Sequence, residues 1–450
     1  MKLGNELKVT MLVVSDAIVL YVALFVTLII RYGGDFYGQF LDSHVVPFTV
    51  VFIPWLIIFY IAGLYDLRRL RNNLDFMKTL ALTLVVDAMV TILLFYFIPI
   101  FGIAPKTNLF IFFIVFAIIE TFWRRLFNRI TVSGEAPNNV LFVGDGKEAA
   151  EVEKVIRENP QIGYAITMSL KESSISDRPE ALEEAVREKN VNIIVVPRHL
   201  KRENKFAGVL YRLFGNGVFV IDIADFYELV MQKIPLTGLE EAWFFENIER
   251  TSRFYDPMKN AGEFIFALIL GIILLPFEIL IAIIIKLTSR GPVLIRQKRT
   301  GRFGETFILY KFRSMVALAP DGQAETQGAQ WTAKNDMRVT PFGKFIRATH
   351  LDELPQLWNV IEGNLSFVGP RPERPEFVTT LKEKIPYYEM RLLVKPGVTG
   401  WAQINHRADL AVDDVVQKLQ YDIYYLKNRS PILDLSIILK TIKSIFSTPK

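Results

Sequence analysis

Residues 264–285 read FIFALILGIILLPFEILIAIII, an apolar run that satisfies the roughly 20 residues a bilayer core demands. Its flanks decide how it can sit. Lys259 precedes it, and Lys286, Arg290, Arg296, Lys298 and Arg299 follow it. A simple crossing would carry one of these basic clusters across the membrane, against the positive-inside rule. Pro276, near the middle, removes a helix hydrogen bond and favours a bend. The expectation is a re-entrant helix over 261–286 that dips into the inner leaflet and returns, keeping everything after Lys286 on the cytoplasmic side. The alternative, a fifth span with a proline kink, would strand that region outside the cell.

Four further apolar runs occupy 9–30, 45–62, 78–98 and 109–122. The first is too long for a cleavable signal peptide, and no small-residue cleavage site follows it. Lys2 and Lys8 precede the first run, Arg68, Arg69, Arg71 and Lys78 lie between the second and third, and Arg124, Arg125 and Arg129 follow the fourth. The other two loops hold only Arg31 and Lys106, so both ends of a four-span bundle belong in the cytoplasm. Asp16, Asp87 and Glu120 lie in or beside these runs and are read as interhelical hydrogen-bonding groups or as residues near the headgroups, rather than as a transport path.

The 450 residues are 51% hydrophobic with a formal net charge of +5, too apolar for an ordinary soluble protein and long enough for about three domains. The absence of cysteine excludes disulfides, thiolate metal sites and cysteine nucleophiles. With only four histidines (His44, His199, His350, His406), carboxylates, lysines and arginines must carry the chemistry.

From 138 to about 245 the pattern is that of a soluble α/β fold. Buried strands are expected at 140–143, Ile193–Val196 and 218–221, with a weaker one over Tyr164–Leu170; helical stretches over Lys147–Glu158, 178–189 and 204–214 separate them. The first strand-to-helix turn, GDGKEA at 144–149, is a Gly-x-Gly-x-x-Ala version of a dinucleotide fingerprint. A tight turn in a Rossmann-like fold without ligand is preferred over nucleotide binding, because no clear ribose-binding acid ends the second strand.

Residues 349–372, THLDELPQLWNVIEGNLSFVGPRP, set two adjacent acids, Asp352 and Glu353, one short helix before a Gly-Pro-Arg-Pro loop. Thr349 to Asp352 matches a capping box, which places Asp352 in a helical first turn. Successive helix positions are about 100° apart, so the two acids cannot share one face. The prolines of GPRP fix φ on both sides of Arg371 and lower the entropy cost of a guanidinium–phosphate contact. Upstream, 296–304 reads as a basic turn-rich collar, and KFRSM at 311–315 as strand-like alternation with Lys311 and Arg313 on one face. KPGVTGW at 395–401 stiffens a third loop bearing Lys395 and leading to Gln403. The terminal stretch Pro431–Phe446 reads as an amphipathic helix that lies on the membrane or packs on the core.

These motifs, in this order over some 200 residues, give the segment from about 256 to the C-terminus a resemblance to the bacterial sugar transferases, the polyprenyl-phosphate sugar-1-phosphate transferases. The four spans and the α/β domain resemble the family's large form. The resemblance implies a membrane α-helical bundle (1–130), an α/β Rossmann-like domain (131–250) and an α/β catalytic domain with a re-entrant membrane helix (251–450). It implies a multi-pass protein of the bacterial inner membrane that transfers a hexose 1-phosphate from a UDP-sugar to polyprenyl phosphate and releases UMP. Exopolysaccharide, capsule or O-antigen synthesis would begin there. Asp352 would be the nucleophile of a covalent aspartyl-phosphosugar intermediate, Glu353 its partner, and Mg²⁺ would touch Asp352. Lys311, Arg313, Arg347, Arg371, Lys395, Gln403 and Arg407 would bind substrate. Membrane lipids and a second copy of the chain are the other implied partners; nucleic acid is not one. Two departures from the family pattern stand out: 362–364 reads EGN where relatives often carry Gly-Asp, and 405–407 reads NHR in place of Asn-Gly-Arg. A glycosyltransferase moving only the sugar would call for an Asp-x-Asp motif, which is absent, and a nucleotide-binding membrane sensor would release no UMP.

Overall fold

The computed structural model describes residues 2–67, 70, 72–97, 106–133, 138–144, 146–176, 178–237, 239, 241–248, 254–317, 338–406 and 412–446. They form two compact units, Met1–Met231 and Gln232–Lys450.

The first unit opens with helices Lys2–Tyr32, Val45–Ala62, Leu74–Phe97 and Lys106–Ser133, one for each expected span. By length and composition Leu7–Ala62 (two of these helices joined by short turns) and Leu74–Tyr96 can cross a membrane; the fourth helix is not among the stretches that qualify. Trp55, Phe59, Phe112 and Phe116 are fully buried between the helices. Lipid offers apolar side chains nearly the same surroundings as a helix interface, so polar bridges add what burial alone does not. Arg124 joins Asp16 on the first helix to Glu120 one turn back, and donates to the Leu64 carbonyl at 2.8 Å. Trp55 Nε1 donates to Thr91 Oγ1 at 2.8 Å. Asp16 thus bonds across helices as expected, while Glu120 bonds Arg124 within its own helix. Asp87 departs from the reading: it is buried, and neither carboxylate oxygen has a hydrogen-bond partner among the described residues. Arg68, Arg69 and Arg71 lie outside the described residues.

After these helices come the strands β1 (Asn138–Val143), β2 (Tyr164–Leu170), β3 (Ile193–Val196) and β4 (Phe219–Asp222), a parallel sheet in the order β2-β1-β3-β4. Every residue of β3 is buried, as a strand covered on both faces must be. Leu141, Val143, Ile194 and Val196 face one apolar layer; Val140, Phe142, Ile193 and Val195 face the other. At the Gly-x-Gly turn, Gly144 adopts φ +110°, a conformation L side chains rarely take. Asp145 of that turn is outside the described residues.

The second unit is organised around one 34-residue helix, Tyr255–Thr288, roughly 50 Å long at 1.5 Å per residue. It runs through Pro276, and of its residues only Ala267, Glu278, Ile281 and Ile285 are buried. It too is long and apolar enough to cross a membrane. The antiparallel hairpin β5 (Leu294–Thr300) and β6 (Thr306–Phe312) follows, pairing Leu294 with Phe312 and Thr300 with Thr306. The basic collar expected at 296–304 is therefore mostly strand, with the turn confined to Arg302–Gly304. Its charges mask an alternation in which Arg296 and Lys298 are exposed while Gln297 and Arg299 turn inward. A short parallel pair, β7 (Ser366–Val368) and β8 (Gly397–Thr399), completes the strands. The final helix, Pro431–Phe446, packs on the core. Ile437 is fully buried beside Trp401 and Tyr425, while Ile432 and Leu435 stay exposed.

Candidate active site

The acid pair sits on an irregular connection. Thr349 is the last cap of helix Pro341–Ala348, its Oγ1 donating to the Phe345 carbonyl at 2.9 Å. His350 then takes a left-handed conformation (φ 57°), and Leu351–Glu353 make one 3₁₀ turn before helix Gln356–Ile361 begins. The expected capping box does not form. Thr349 spends its hydroxyl on the preceding helix, and Pro355, without an N–H, starts the next one. With about three residues per turn, adjacent side chains in the 3₁₀ turn diverge by about 120°.

That divergence separates the two carboxylates chemically. Glu353 Oε1 accepts from Lys311 Nζ at 2.7 Å and from an Arg371 guanidinium nitrogen at 3.2 Å. Burial pushes the Glu353 carboxyl up, but Lys311 and Arg371 outweigh it and hold it well below the usual carboxylate range. The Asp352 carboxylate accepts no hydrogen bond from the described residues. Burial raises its pKa, Lys311 and Arg347 pull against that, and Glu353 adds to it. One acid is locked between cations while its neighbour is left unengaged beside them.

Each cation has a support. Lys311 lies on β6, whose outer edge has no further strand; the fully buried Asn359 side chain stands in for one. Its Oδ1 accepts from Tyr310 N at 3.0 Å and its Nδ2 donates to the Ile308 carbonyl at 2.7 Å. Arg371 follows β7. Gly369 N donates to the Thr399 carbonyl and Gly397 N to the Pro370 carbonyl, both at 2.9 Å. A Cβ on Gly397 would collide with Gly369, so glycine is what permits this crossing. Arg391 donates to the Arg371 carbonyl at 2.9 Å, and Arg299 to the Pro372 carbonyl at 3.2 Å. Burial lowers Arg299 to about 10.

Arg391 is itself buried, paired with Asp422 at 3.0 Å and bonded to the Tyr388 hydroxyl at 2.8 Å. Burial raises Asp422 to about 6 even against Arg391. Arg391→Met should therefore leave a buried carboxylate unpaired and release the Arg371 backbone. The expected loss is about 3–5 kcal/mol, read as a lowered thermal midpoint in detergent. An unchanged midpoint would remove Arg391 from this account.

Of the other anticipated site residues, Arg313, Lys395 and Gln403 do not join this cluster. Arg313 is buried and donates to the Ser289 carbonyl (2.8 Å) and hydroxyl (2.7 Å), away from Lys311. The reading that put both on one face fails because β6 ends at Phe312, so the pleat no longer governs residue 313. Lys395 has Glu263, Arg302 and Lys259 as its nearest charges. Gln403 bonds to the Val398 carbonyl at 3.3 Å. Arg347 lies one turn upstream of the acids, half-buried, and Arg407 is outside the described residues. Sequence reasoning missed Asn359 and Arg391 and named Arg299 only as part of a collar. The available signal for Asn359 was a lone amide inside an apolar run.

Among the described residues no group of three or more His, Cys, Asp or Glu side chains could cage a metal. Mg²⁺ commonly uses one or two carboxylates and completes its shell with water and substrate phosphate oxygens. An unengaged Asp352 fits that mode.

The bacterial sugar transferase family profile matches residues 254–448. The UDP-N-acetylgalactosamine-undecaprenyl-phosphate N-acetylgalactosaminephosphotransferase of Aeromonas hydrophila is 41% identical over 196 residues, 44% of this chain and 45% of that protein. The UDP-glucose:undecaprenyl-phosphate glucose-1-phosphate transferase of Xanthomonas campestris pv. campestris is 30% identical over 72% of this chain and 69% of its own length. The protein of the same description from Klebsiella pneumoniae is 27% identical over 93% of both chains.

Proposed function

The chain belongs to the bacterial sugar transferase family, and from that premise we propose that it transfers a hexose 1-phosphate from a UDP-sugar to undecaprenyl phosphate, releasing UMP. One observation carries the mechanism: Asp352 is left without a hydrogen bond beside cations that its neighbour Glu353 holds in place.

An Asp352 oxygen attacks the β-phosphorus of the UDP-sugar. The bond from that phosphorus to the bridging oxygen breaks, and the electron pair leaves with UMP. The acyl phosphate on Asp352 is then attacked at phosphorus by an oxygen of undecaprenyl phosphate, forming the lipid diphosphate-sugar and regenerating the carboxylate. A weakly basic nucleophile suffices because phosphoryl transfer depends mainly on positioning and charge neutralisation. Lys311, Arg347 and Arg371 supply the fixed positive charge around the phosphates. Mg²⁺ held by Asp352 would add neutralising charge on the diphosphate when bound.

The apolar helix Tyr255–Thr288 is read as the re-entrant element, which keeps this site on the cytoplasmic face where UDP-sugars are found. The N-terminal helices are read as a membrane bundle and the parallel sheet as a Rossmann-like domain. The sugar is left open, since relatives are named for both glucose and N-acetylgalactosamine. A panel of UDP-hexoses, each incubated with purified protein and undecaprenyl phosphate, tests the proposal. One should give UMP and lipid diphosphate-sugar in equal amounts. UMP without the lipid product, or neither from any donor, would refute it.

A further inference from the structure

Of the four inward residues of helix Tyr255–Thr288, three are apolar and one, Glu278, is an acid. Positions 278, 281 and 285 are spaced by three and four, and 267 lies three turns back, so all four share one face. The residues beside Glu278, namely Phe277, Ile279 and Leu280, are exposed.

This buried face lies under the acid-pair turn. Ile281 and Ile285 share an apolar cluster with Phe312 and Ile346, and Leu351 and Leu354, which bracket Asp352 and Glu353, pack against it. Ala267 joins Val360 and Leu365 in a second cluster, toward the far end of helix Gln356–Ile361. Glu278 lies between the two along its helix, and the indole of Trp358, from the middle of Gln356–Ile361, is the donor beside its carboxylate. Asn359, next in sequence, clamps β6 and so supports Lys311. The six-residue helix is thus tied to the hairpin by one residue and to the apolar helix by its neighbour.

Packing energy does not account for an acid at this position. Glu278 is 8% exposed, its Oε1 has no hydrogen-bond partner among the described residues, and no cation among them offsets its charge. A buried carboxyl served so poorly costs stability, and a leucine would fill the same seam without that cost. A residue that breaks the local rule with no gain to the fold is expected where function needs it.

We propose that Glu278 is a positioning residue: by holding the Trp358 indole it fixes where the acid-pair turn stands against the apolar helix. The proposal rests on the transfer reaction put forward above, and two readouts keep the two apart. Full-length protein is purified in detergent with fluorotryptophan in place of tryptophan, and Trp358→Phe identifies the Trp358 fluorine resonance. Glu278→Leu should shift that resonance. Glu278→Gln, whose amide oxygen still accepts from the indole, should shift it far less.

In UMP release at saturating substrate, Glu278→Leu should lower kcat about tenfold with the donor KM unchanged, the scale of a slight misplacement of reacting groups. Its thermal midpoint should stay level or rise. Trp358→Phe should lose as much activity, the double variant no more than either single change, and Glu278→Gln little. An unmoved fluorine resonance in Glu278→Leu, wild-type kcat in that variant, or losses that multiply in the double variant would overturn the proposal. Absence of UMP from the wild type would instead count against the transfer reaction, with the fluorine shift still deciding whether Glu278 holds Trp358.

Discussion

Asp352→Asn is expected to abolish UMP release, lowering kcat by roughly 10³-fold or more, the scale seen when a covalent nucleophile is removed. The amide nearly matches the carboxylate in shape but is a far poorer nucleophile toward phosphorus. Because the Asp352 side chain makes no hydrogen bond to the described residues, the change breaks no hydrogen bond among them. Burial raises the Asp352 pKa, so the folded protein takes up this proton more readily than the unfolded chain, and the group's contribution to stability grows as pH falls through that window. At neutral pH the buried charge is a cost, and the asparagine variant should melt no lower than wild type. In the active enzyme the acid limb of kcat/KM should lie above the ordinary aspartate value of 3.8. Full UMP release by a folded Asp352→Asn protein would sink the nucleophile assignment.

Glu353→Gln should damage both rate and stability. Lys311 and Arg371 lose their shared carboxylate, and a drop in kcat of about 10²-fold is expected as the cations proposed to hold the phosphates lose their fixed positions. Removing one partner of a buried pair costs about 3–5 kcal/mol; with Arg371 41% exposed, about 2 kcal/mol is the expectation here. The pH dependence runs opposite to that of Asp352. The folded Glu353 pKa is depressed, so its stabilisation is complete above the unfolded value near 4.5 and is lost only as pH falls further. The gap in thermal midpoint between wild type and Glu353→Gln should hold constant from pH 8 to about pH 5 and close below that. A gap already closed at pH 6 would show that Lys311 and Arg371 do not hold the carboxylate.

Much of the fold was legible because burial leaves a plain periodic record. Tyr164–Leu170, Ile193–Val196 and Lys147–Glu158 fall where apolar runs and helical spacing placed them. β5 was not legible, because four of its seven residues are charged or amide-bearing and mask the alternation of exposed and inward positions. The site divides similarly. Asp352, Glu353, Lys311, Arg347 and Arg371 converge as the motifs implied, whereas Arg313 was misread by carrying strand alternation past the end of a strand. Asn359 and Arg391 escaped notice because each acts on a main-chain group remote in sequence, and such a bond has no local signature.

The double engagement of Glu353 gives the site an internal counterion. Its carboxylate occupies donor groups of Lys311 and Arg371 that an incoming diphosphate would use. On the proposed function, substrate entry would then be an exchange of one anion for another. The two cations would stay extended and in place between turnovers, and stray cellular phosphates would meet positive charge already offset by a carboxylate. Selectivity for the full nucleotide-sugar would have to come from the rest of the substrate, because phosphate alone gains little by displacing a resident carboxylate.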